Sequence, residues 1–333
     1  MHFELKLCDD KKVWDSFVDG SPEKSVFCIT GFLDALNRPY DTWFVKQGQE
    51  FCLGALVVKD QNGEVYGTPV PFSMYQGILF NKSYKEVHPH TRAAYTLKAV
   101  DFLLGELAKK YNRIFFSLHH GIEDLRSFQW FNYQHPEEGQ FRISLQYTGI
   151  IDLNSFATFQ DYISSIRTTR RYEYRKALKE GFSIEESAEI EKLDYLHELT
   201  FKRQGIERRP EISGLVKSIA AAVLSKGFGE LLFCKDKKGE FISATLYLHY
   251  GGTGYYLFGA NHPDYRYACG GTLLMLENIR RCKAKGISFV DVCGINSPNR
   301  GDFKTSFNAR SIPYFYVVWN KPNTRFNPQA TLL

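Results

Sequence analysis

The residues most able to take part in chemistry surround a lysine near the end of the chain. Residues 294–309 read GINSPNRGDFKTSFNA and follow the apolar run 287–293, which is typical of a buried strand. A surface turn requires only the glycine, the proline and the asparagines, so Lys304 between Phe303 and Phe307 needs another explanation. Such a lysine can neutralise a phosphate or stabilise an oxyanion. The alternative is a surface lysine whose aliphatic stem covers the two rings.

A second group of chemically capable residues is predicted on one helix. The pattern of residues 158–180 predicts a helix that ends at Gly181. The cationic and phenolic side chains fall at helical spacing: Arg167, Arg171 and Arg175 on one face, Arg170 and Tyr174 beside it. Guanidinium groups next to phenol hydroxyls favour binding of a diphosphate. The alternative is a solvated face paired with Glu173 and Glu180.

A glycine pair opens another predicted helix. A strand ending in Gly259-Ala260 leads into a loop and then into Gly270-Gly271-Thr272. Backbone N–H groups at such a transition approach an anion closely, and the helix N-terminus adds partial positive charge. Arg266 in the loop adds a full charge. The pattern is neither GxxxxGK[ST] nor GxGxxG, and the alternative is that the glycines simply start a helix.

Two stretches of the chain are similar at a constant offset. Residues 57–64 (VVKDQNGE) and 233–240 (FCKDKKGE) lie 176 residues apart, and both predict a strand end followed by a hairpin turn. At the same offset, each half continues with a predicted amphipathic helix and a strand: 94–111 with 114–118, and 270–287 with 287–293. We therefore expect an α+β chain of two similar domains, joined near residues 152–156.

Composition limits the class of protein. A chain of 333 residues suits one large or two ordinary domains. A net charge of +5 fits an anionic small ligand and falls below the basic footprint of a dedicated nucleic-acid binder, so no double-stranded nucleic acid is expected as partner. The charged N-terminus is unlike a signal peptide, and no apolar run approaches the roughly 18 residues of a membrane span. The sequence predicts a soluble, cytoplasmic protein without membrane insertion.

The metal-ligating residue types do not form a recognisable site. The seven cysteines contain no CxxC pair, so neither a disulfide framework nor a zinc ribbon is indicated. His88 and His90 are close in sequence, as are His119 and His120, but no spacing fits zinc. Adjacent histidines on an extended strand also point to opposite faces. No metal is therefore predicted.

The second half of the chain resembles Fem-type transferases and related tandem-GNAT N-acyltransferases. The resemblance rests on the hairpin, the glycine-containing loop, a helix ending Lys-Gly, a strand carrying Asp291, and the Phe-Lys-x-x-Phe of residues 303–307. KALKEGFSIEE and Thr200-Phe-Lys-Arg-Gln-Gly205 are also similar to segments of that family. It implies two tandem GNAT-like domains, 1–152 and 153–333, each with a mixed, mostly antiparallel sheet flanked by helices.

The same resemblance implies an activity: transfer of an acyl group to an amine, from a coenzyme A thioester or an aminoacyl-tRNA. In GNAT proteins the pyrophosphate loop follows the pattern Gln/Arg-x-x-Gly-x-Gly/Ala. Here Gly270 fits that frame, and Arg266 is shifted by one position. In the Fem-type frame Lys304 lies at the active centre, and the arginine-rich helix contacts phosphates of a nucleotide-linked acceptor.

These considerations define three sets of predicted site residues. The donor-binding set, placed in the second domain, is Phe258, Gly259, Ala260, Arg266, Gly270, Gly271, Thr272 and Asn296. The acceptor-binding set is Arg170, Arg171, Tyr174, Arg175, Tyr75 and Phe303. The catalytic set is Lys304, Asp291 and His249, where either of the last two, or Asp302, is a candidate base. The alternatives are a loop-capping role for Asp291 and a surface position for His249.

The favoured function is a CoA-dependent N-acyltransferase acting on a nucleotide-linked (dTDP or UDP) amino sugar for surface polysaccharide synthesis. The CoA thioester is then a co-substrate, no cofactor is tightly bound, and the protein is a monomer or homodimer. A Fem-type enzyme that uses aminoacyl-tRNA and a peptidoglycan precursor is the alternative. The chain shows no long heptad segment, and its modest net charge disfavours a large tRNA contact. A non-enzymatic binding module is a further alternative, in which the arginine helix and Lys304 are structural.

Overall fold

The chain divides into two compact units. The computed structural model describes residues 2–83 and 88–324, apart from the side chains of Pro89, Arg266 and Ala268. The second unit is one continuous stretch, and the first combines the residues before it with those that follow it.

The unit boundaries differ from the predicted ones. The second unit comprises residues 147–312, whereas the sequence placed the boundary at 152/153 and assigned everything after it to the second domain. The chain from Pro313 onward belongs to the first unit, because its residues 316–320 pair with a strand of that unit.

The first unit contains a four-stranded antiparallel sheet. In spatial order its strands are β1 (Phe3–Leu7), β2 (Tyr40–Gln47), β3 (Glu50–Val58) and β4 (Ile78–Phe80). Strand β5 (Arg113–Ser117) pairs antiparallel with residues 316–320 of the C-terminal strand β12 (Arg310–Asn320). The helices are α1 (Lys11–Gly20), α2 (Thr30–Ala35), α3 (Pro89–Lys110) and α4 (Arg126–Gln129). Helix α3 buries Leu103, Leu104 and Leu107 in the core, as its amphipathic pattern predicts.

The second unit is built around a longer sheet. Its strands, in spatial order, are β6 (Arg142–Asp152), β11 (Phe289–Asp291), β10 (Thr253–Asn261), β9 (Phe241–Tyr250), β8 (Gly229–Lys235) and β7 (Ser183–Glu186). The unit boundary falls within β6, so only the part of β6 from residue 147 onward belongs to this unit. All these pairs are antiparallel except β10 with β11, which is parallel. The helices are α5 (Phe159–Ser165), α6 (Thr168–Lys179), α7 (Ile190–Arg203), α8 (Pro210–Lys226), α9 (Gly270–Ala284) and α10 (Pro298–Thr305). The predicted α+β class is confirmed.

Two local predictions in the second unit are corrected by the structure. The single helix predicted for 158–180 is two helices, α5 and α6, with Ile166 and Arg167 in extended conformations between them. The break is stabilised by the Arg167 backbone N–H, which donates to the Ser306 carbonyl at 3.0 Å. The segment after Ser297, predicted as a polar loop, forms helix α10, and Pro298 occupies the first helical position that proline favours.

Candidate active site

The parallel pair of strands separates after three residues. Residues 253–255 of β10 pair with residues 289–291 of β11, and the ladder between them ends at Tyr255 and Asp291. Strand β10 continues to Asn261 paired only with β9 on its other side, with a bulge between Tyr256 and Phe258. The predicted segment Phe258–Ala260 lies on this separated part of β10. An edge that is no longer paired with β11 is the kind of edge along which an extended ligand arm can align.

Helix α9 follows β10 and the short loop after it. The residue before the helix, Cys269, has a φ of 63°, and no side chain within the described chain caps this end. A methyl group on Gly270 would lie 2.5 Å from the Ser243 hydroxyl, so this position requires glycine. The first N–H groups of α9 lie at a helix N-terminus that has no side-chain cap, an arrangement that suits an anion. The Thr272 hydroxyl instead donates to the Glu173 carboxylate. The Arg266 side chain lies outside the described part of the chain.

Lys304 is buried rather than exposed. Its side chain is on α10, the residue is 7% exposed, and its ammonium donates to the carbonyls of Cys293 and, at 3.4 Å, Gly294. The same ammonium lies 5.6 Å from the centre of the Tyr256 ring. Burial lowers the pKa of Lys304 to about 8. This lysine consequently fixes the turn after β11 and places a positive charge at the point where β10 and β11 separate.

Among the candidate bases, Asp291 is the one whose charge acts on Lys304. Its carboxylate is buried and accepts hydrogen bonds from the Thr148 hydroxyl and, at 2.8 Å, from the Cys293 N–H. Asp302 bonds Arg167 on the surface of α10 at 2.8 Å. His249 pairs with Gly254 near the turn that joins β9 to β10, at the end of the hairpin away from Phe258–Ala260. Burial lowers the pKa of His249.

One residue at the strand separation was missed by the sequence reasoning. Tyr256 is the first residue of β10 beyond the paired stretch and is 6% exposed. Its hydroxyl lies against the backbone of Gly259, where a methyl group would overlap it. Burial raises the pKa of Tyr256, so the phenol keeps its proton at neutral pH. The available signal was the glycine three residues after a tyrosine, which a sequence alone does not distinguish from ordinary strand packing.

Arg170 joins three helices. Its guanidinium stacks on Phe303 at 4.8 Å, donates to the Ser306 hydroxyl at 2.8 Å, and pairs with Glu173. It also lies 3.5 Å from the Thr272 hydroxyl at the start of α9. Arg170 and Phe303, both predicted to bind acceptor, thus hold α10 and α9 against α6. A bound phosphate would have to share this guanidinium with the protein.

The remaining predicted acceptor residues of α6 fall into an inner and an outer group. Tyr174 packs between two clusters of the core, and burial followed by the charge of Glu277 raises the pKa of Tyr174. Arg171 points outward and bonds only locally, to the Thr168 hydroxyl at 2.8 Å and the Ser164 carbonyl. Arg175 is exposed. The outer group can meet an anionic ligand without breaking the core.

Two predicted residues have other contacts. The Asn296 side-chain amide both accepts from and donates to the backbone of Tyr147, at 2.8 and 3.2 Å, and so extends the edge of β6. Tyr75 lies in the first unit, is 1% exposed, and packs edge-on against His119 and Tyr314. In this structure Asn296 therefore braces a strand, and Tyr75 is part of the core of the other unit.

The described residues provide neither a cluster of metal ligands nor a membrane-spanning helix. Within residues 2–83 and 88–324, no group of three or more His, Cys, Asp or Glu side chains is arranged to hold a metal ion. Over the same ranges, no helix is both long and apolar enough to cross a bilayer.

Comparison with known proteins identifies the class. Residues 164–305 match the family described as acetyltransferase (GNAT) domain. FemX has 14% identity and a TM-score of 0.68 over 95% of this chain and 97% of its own. A tandem GNAT protein from the clavulanic acid biosynthesis pathway has 11% identity and a TM-score of 0.56 over 98% of this chain and 100% of its own. L-PGS from Bacillus licheniformis has 12% identity and a TM-score of 0.52 over 96% of this chain and 95% of its own.

No curated protein sequence matches the chain. The matched domain contains β10, α9, β11 and α10, the elements around the strand separation. The protein is an acyltransferase, and its fold is the tandem-GNAT, Fem-type arrangement predicted from the sequence.

Proposed function

We propose that the protein transfers an acyl group from an acyl-CoA thioester to the amino group of a nucleotide-linked (dTDP or UDP) amino sugar used for surface polysaccharide. One observation supports this above the others: the separated part of β10 is followed, after residues 262–269, by an uncapped helix whose first residues are Gly270 and Gly271. A strand edge suits the pantetheine amides of the donor, and the helix N-terminus suits its diphosphate.

In the proposed reaction the amine attacks the thioester carbonyl directly. Backbone N–H groups near Phe258–Ala260 bind the carbonyl oxygen, and Lys304 supplies positive charge nearby as negative charge develops. The C–N bond forms, the C–S bond breaks, and the amine proton is lost to a base, for which Asp291 is the carboxylate beside Lys304. Tyr256 donates a hydrogen bond to the sulfur, which departs as a thiolate and takes a proton from solvent to become the thiol, while the base releases the amine proton to solvent.

The acceptor is proposed to be anionic because the outer face of α6 is cationic. Arg171, Arg175 and Lys179 lie on this face around the exposed Tyr172. Guanidinium groups bind the two phosphates of a nucleotide sugar, and a phenol ring stacks on a base or sugar. We propose the cytoplasm as the compartment, supported by seven cysteines that are all free thiols, and a monomer or homodimer as the working form.

The same cationic face favours a second candidate. Arginines interleaved with an exposed aromatic ring also bind the backbone and bases of RNA, so an aminoacyl-tRNA donor with a peptidoglycan precursor as acceptor remains the alternative. The two candidates differ in the leaving group: a thiol from CoA, or a ribose hydroxyl from tRNA.

The deciding experiment follows that leaving group. The protein is incubated with acetyl-CoA or hydroxyacyl-CoA and a panel of dTDP- and UDP-linked amino sugars, and thiol release is measured together with the mass of the product. Lys304→Ala and the matched surface variant Lys226→Ala are run in parallel. We expect sugar-dependent thiol release that only Lys304→Ala abolishes. Turnover of charged tRNA with a peptidoglycan precursor, and none with acyl-CoA, would replace this proposal by the alternative.

A further inference from the structure

Two polar side chains are buried where helix α9 packs on strands β9 and β10. Thr245 on β9 and Asn278 on α9 are 0% and 1% exposed. The Thr245 hydroxyl donates to the Phe258 carbonyl at 2.9 Å, and the Asn278 side-chain nitrogen donates to the Thr245 oxygen at 3.3 Å. Two hydrogen bonds therefore connect the helix, through one strand, to a backbone carbonyl of the next.

The direction of this connection is fixed by the chemistry of its members. A threonine hydroxyl has one proton, and an amide nitrogen donates and does not accept. Because Asn278 presents its nitrogen to the Thr245 oxygen, the hydroxyl proton is left for the Phe258 carbonyl. Hydrogen bonds in such a series polarise and strengthen one another in a dry interior. Asn278 therefore strengthens the contact between Thr245 and β10.

Asn278 itself is costly for stability. Its side-chain oxygen is buried and accepts no hydrogen bond from any residue within 2–83 or 88–324. A buried acceptor of this kind costs about 1–3 kcal/mol, and a leucine of nearly the same size would avoid that cost. A buried polar side chain that lowers stability points to a role other than stability.

The connection ends at the bulge of β10. The pairing of β10 with β9 shifts by one residue between Tyr256 and Phe258, so Leu257 is the extra residue. The N–H groups of successive residues in a strand point to opposite edges. The place of the extra residue therefore decides which N–H groups among residues 258–260 face away from β9, and a bulge moved by one residue would exchange them.

We propose that Thr245 and Asn278 are positioning residues for acyl transfer, which hold this bulge in place so that N–H groups at Phe258–Ala260 face the donor carbonyl. The inference rests on the proposed function, in which those N–H groups bind the carbonyl oxygen. Asn278 lies about two helical turns beyond Gly270, so the same side chain fixes the bulge relative to the helix start assigned to the diphosphate. Both residues act through the backbone of β10.

Amide hydrogen exchange of the substrate-free protein tests whether the bulge is anchored in this way. In Thr245→Val, which removes the hydroxyl, peptides covering residues 255–261 should exchange at least about tenfold faster, with little change elsewhere. Thr245→Ser keeps a hydroxyl and should exchange as the parent protein does. Thr42→Val is the matched control, because it removes a similar bond of 2.8 Å to the Cys8 carbonyl in the first unit. It should leave exchange at 255–261 unchanged.

Steady-state kinetics test the consequence for the reaction, with acetyl-CoA and the acceptor found by thiol release. Thr245→Val should lower kcat at least about tenfold, whereas the calorimetric affinity for CoA should stay within about twofold of the parent value, because the start of α9 is unchanged. Asn278→Leu should also lower kcat, with a Tm equal to or above that of the parent protein. Thr245→Ser should recover most of the kcat, and Thr42→Val should match the parent protein.

Three outcomes would overturn the positioning role. One is unchanged exchange at 255–261 in Thr245→Val, and another is an unchanged kcat in that variant despite faster exchange. The third is an Asn278→Leu protein that loses stability and activity together. A parent protein that releases no thiol from any acyl-CoA would instead contradict the proposed donor, and the exchange of Thr245→Val would still decide whether the bulge is anchored as inferred.

Discussion

The two units make the same hairpin turn but begin the following helix in different ways. In both turns an aspartate, Asp60 or Asp236, accepts hydrogen bonds from the backbone N–H groups two and four residues later. In both, a glycine three residues after it has a positive φ, 83° for Gly63 and 84° for Gly239. The repeat predicted from the sequence is therefore present in atomic detail at its turns.

The helices that follow differ at their first residues. Helix α9 begins with two glycines after a nine-residue strand, whereas α3 begins at Pro89, and the nearest preceding strand, β4, has three residues. Proline has no backbone N–H, so the start of α3 offers fewer donors to an anion. This contrast favours the second unit as the one that binds the acyl donor.

The units also differ in the residue found at the position of Lys304 in the repeat. At the same offset of 176 residues the first unit has Phe128, on α4 and 1% exposed. An apolar ring is the ordinary choice for such a position, and a buried lysine is costly unless its charge is used. Five predictions test these contrasts, from the largest expected effect to the smallest.

Negative charge at the start of α9 should abolish donor binding. Gly271→Asp is expected to weaken acyl-CoA binding at least about 100-fold, because the added carboxylate would repel the diphosphate and compete with it for the backbone N–H groups. Folding should be retained, since an acidic residue is favourable at a helix N-terminus. Isothermal titration with CoA measures the affinity, and thermal melting measures the stability.

Two controls accompany this variant. Gly271→Ala reports the steric cost alone, because the added methyl would lie 2.9 Å from the Asn261 side chain. His90→Asp places the same charge in the first turn of α3, at an exposed residue, and should leave CoA affinity unchanged. Loss of CoA binding in His90→Asp would reverse the assignment of the two units.

Removing the charge of Lys304 should lower turnover by about 100-fold, the size of effect expected for one group that stabilises an oxyanion. Because the cation is the active form and its pKa is about 8, kcat/KM in the parent protein should fall as the pH rises above that value. Lys304→Arg, which stays charged, should retain part of the activity and lose the alkaline decline. An unchanged pH profile in Lys304→Arg would contradict the role of this charge.

Tyr256→Phe should lower kcat about tenfold with little change in KM, because the hydroxyl acts on the departing sulfur rather than on substrate affinity. Steady-state kinetics with acetyl-CoA provide the measurement. Tyr250→Phe, near the turn that joins β9 to β10, is the matched control and should have parent kinetics. Equal kcat values for Tyr256→Phe and the parent protein would leave that hydroxyl a packing role only.

The stability of the parent protein should depend on Lys304 at alkaline pH. The folded pKa of about 8 lies below the ordinary value of 10.5, so between these values the unfolded chain holds more protons than the folded one. The free energy of unfolding should therefore rise with pH across this window relative to Lys304→Met, by on the order of 3 kcal/mol. Urea unfolding at pH 7 and pH 10.5 compares the two proteins, and a difference that falls with pH would be the opposite sign.

The smallest effect is expected where the units agree. Asp60→Ala and Asp236→Ala each remove two backbone hydrogen bonds from an exposed turn, so each should lower the Tm by a similar amount, on the order of 2 °C. Neither should alter turnover. Differential scanning calorimetry measures both, and a large loss in one variant alone would show that the two turns are not equivalent.

Periodicity and turn chemistry predicted much of the fold. The helix predicted for 94–111 is α3, the strand predicted for 114–118 is β5, and both repeated turns form as expected. Such elements are determined by the types and spacing of residues that are close together in the sequence. The break in the helix at Ile166–Arg167 was not predicted, because it depends on a backbone hydrogen bond to Ser306, which is far away in the sequence.

The site was predictable only in part. Lys304 and Asp291 could be singled out because a flanked lysine and a strand aspartate stand out in the sequence, but the burial of Lys304 depends on packing against Tyr256. The contacts of Asn296 with Tyr147 and of Arg170 with Phe303 and Ser306 also arise from tertiary structure, and residue type alone does not reveal them. Tyr256 was missed for the same reason.

The pairing of β5 with β12 has a consequence for synthesis on the ribosome. Strand β5 is translated before the second unit, but it receives its partner only when residues 316–320 emerge, after the second unit. The second unit, 147–312, is by then fully synthesised. The first unit is therefore completed only after the second has been synthesised, and a transcript truncated after Ile312 would yield a chain whose β5 lacks its β12 partner, an exposed strand edge of the kind that chaperones and proteases recognise.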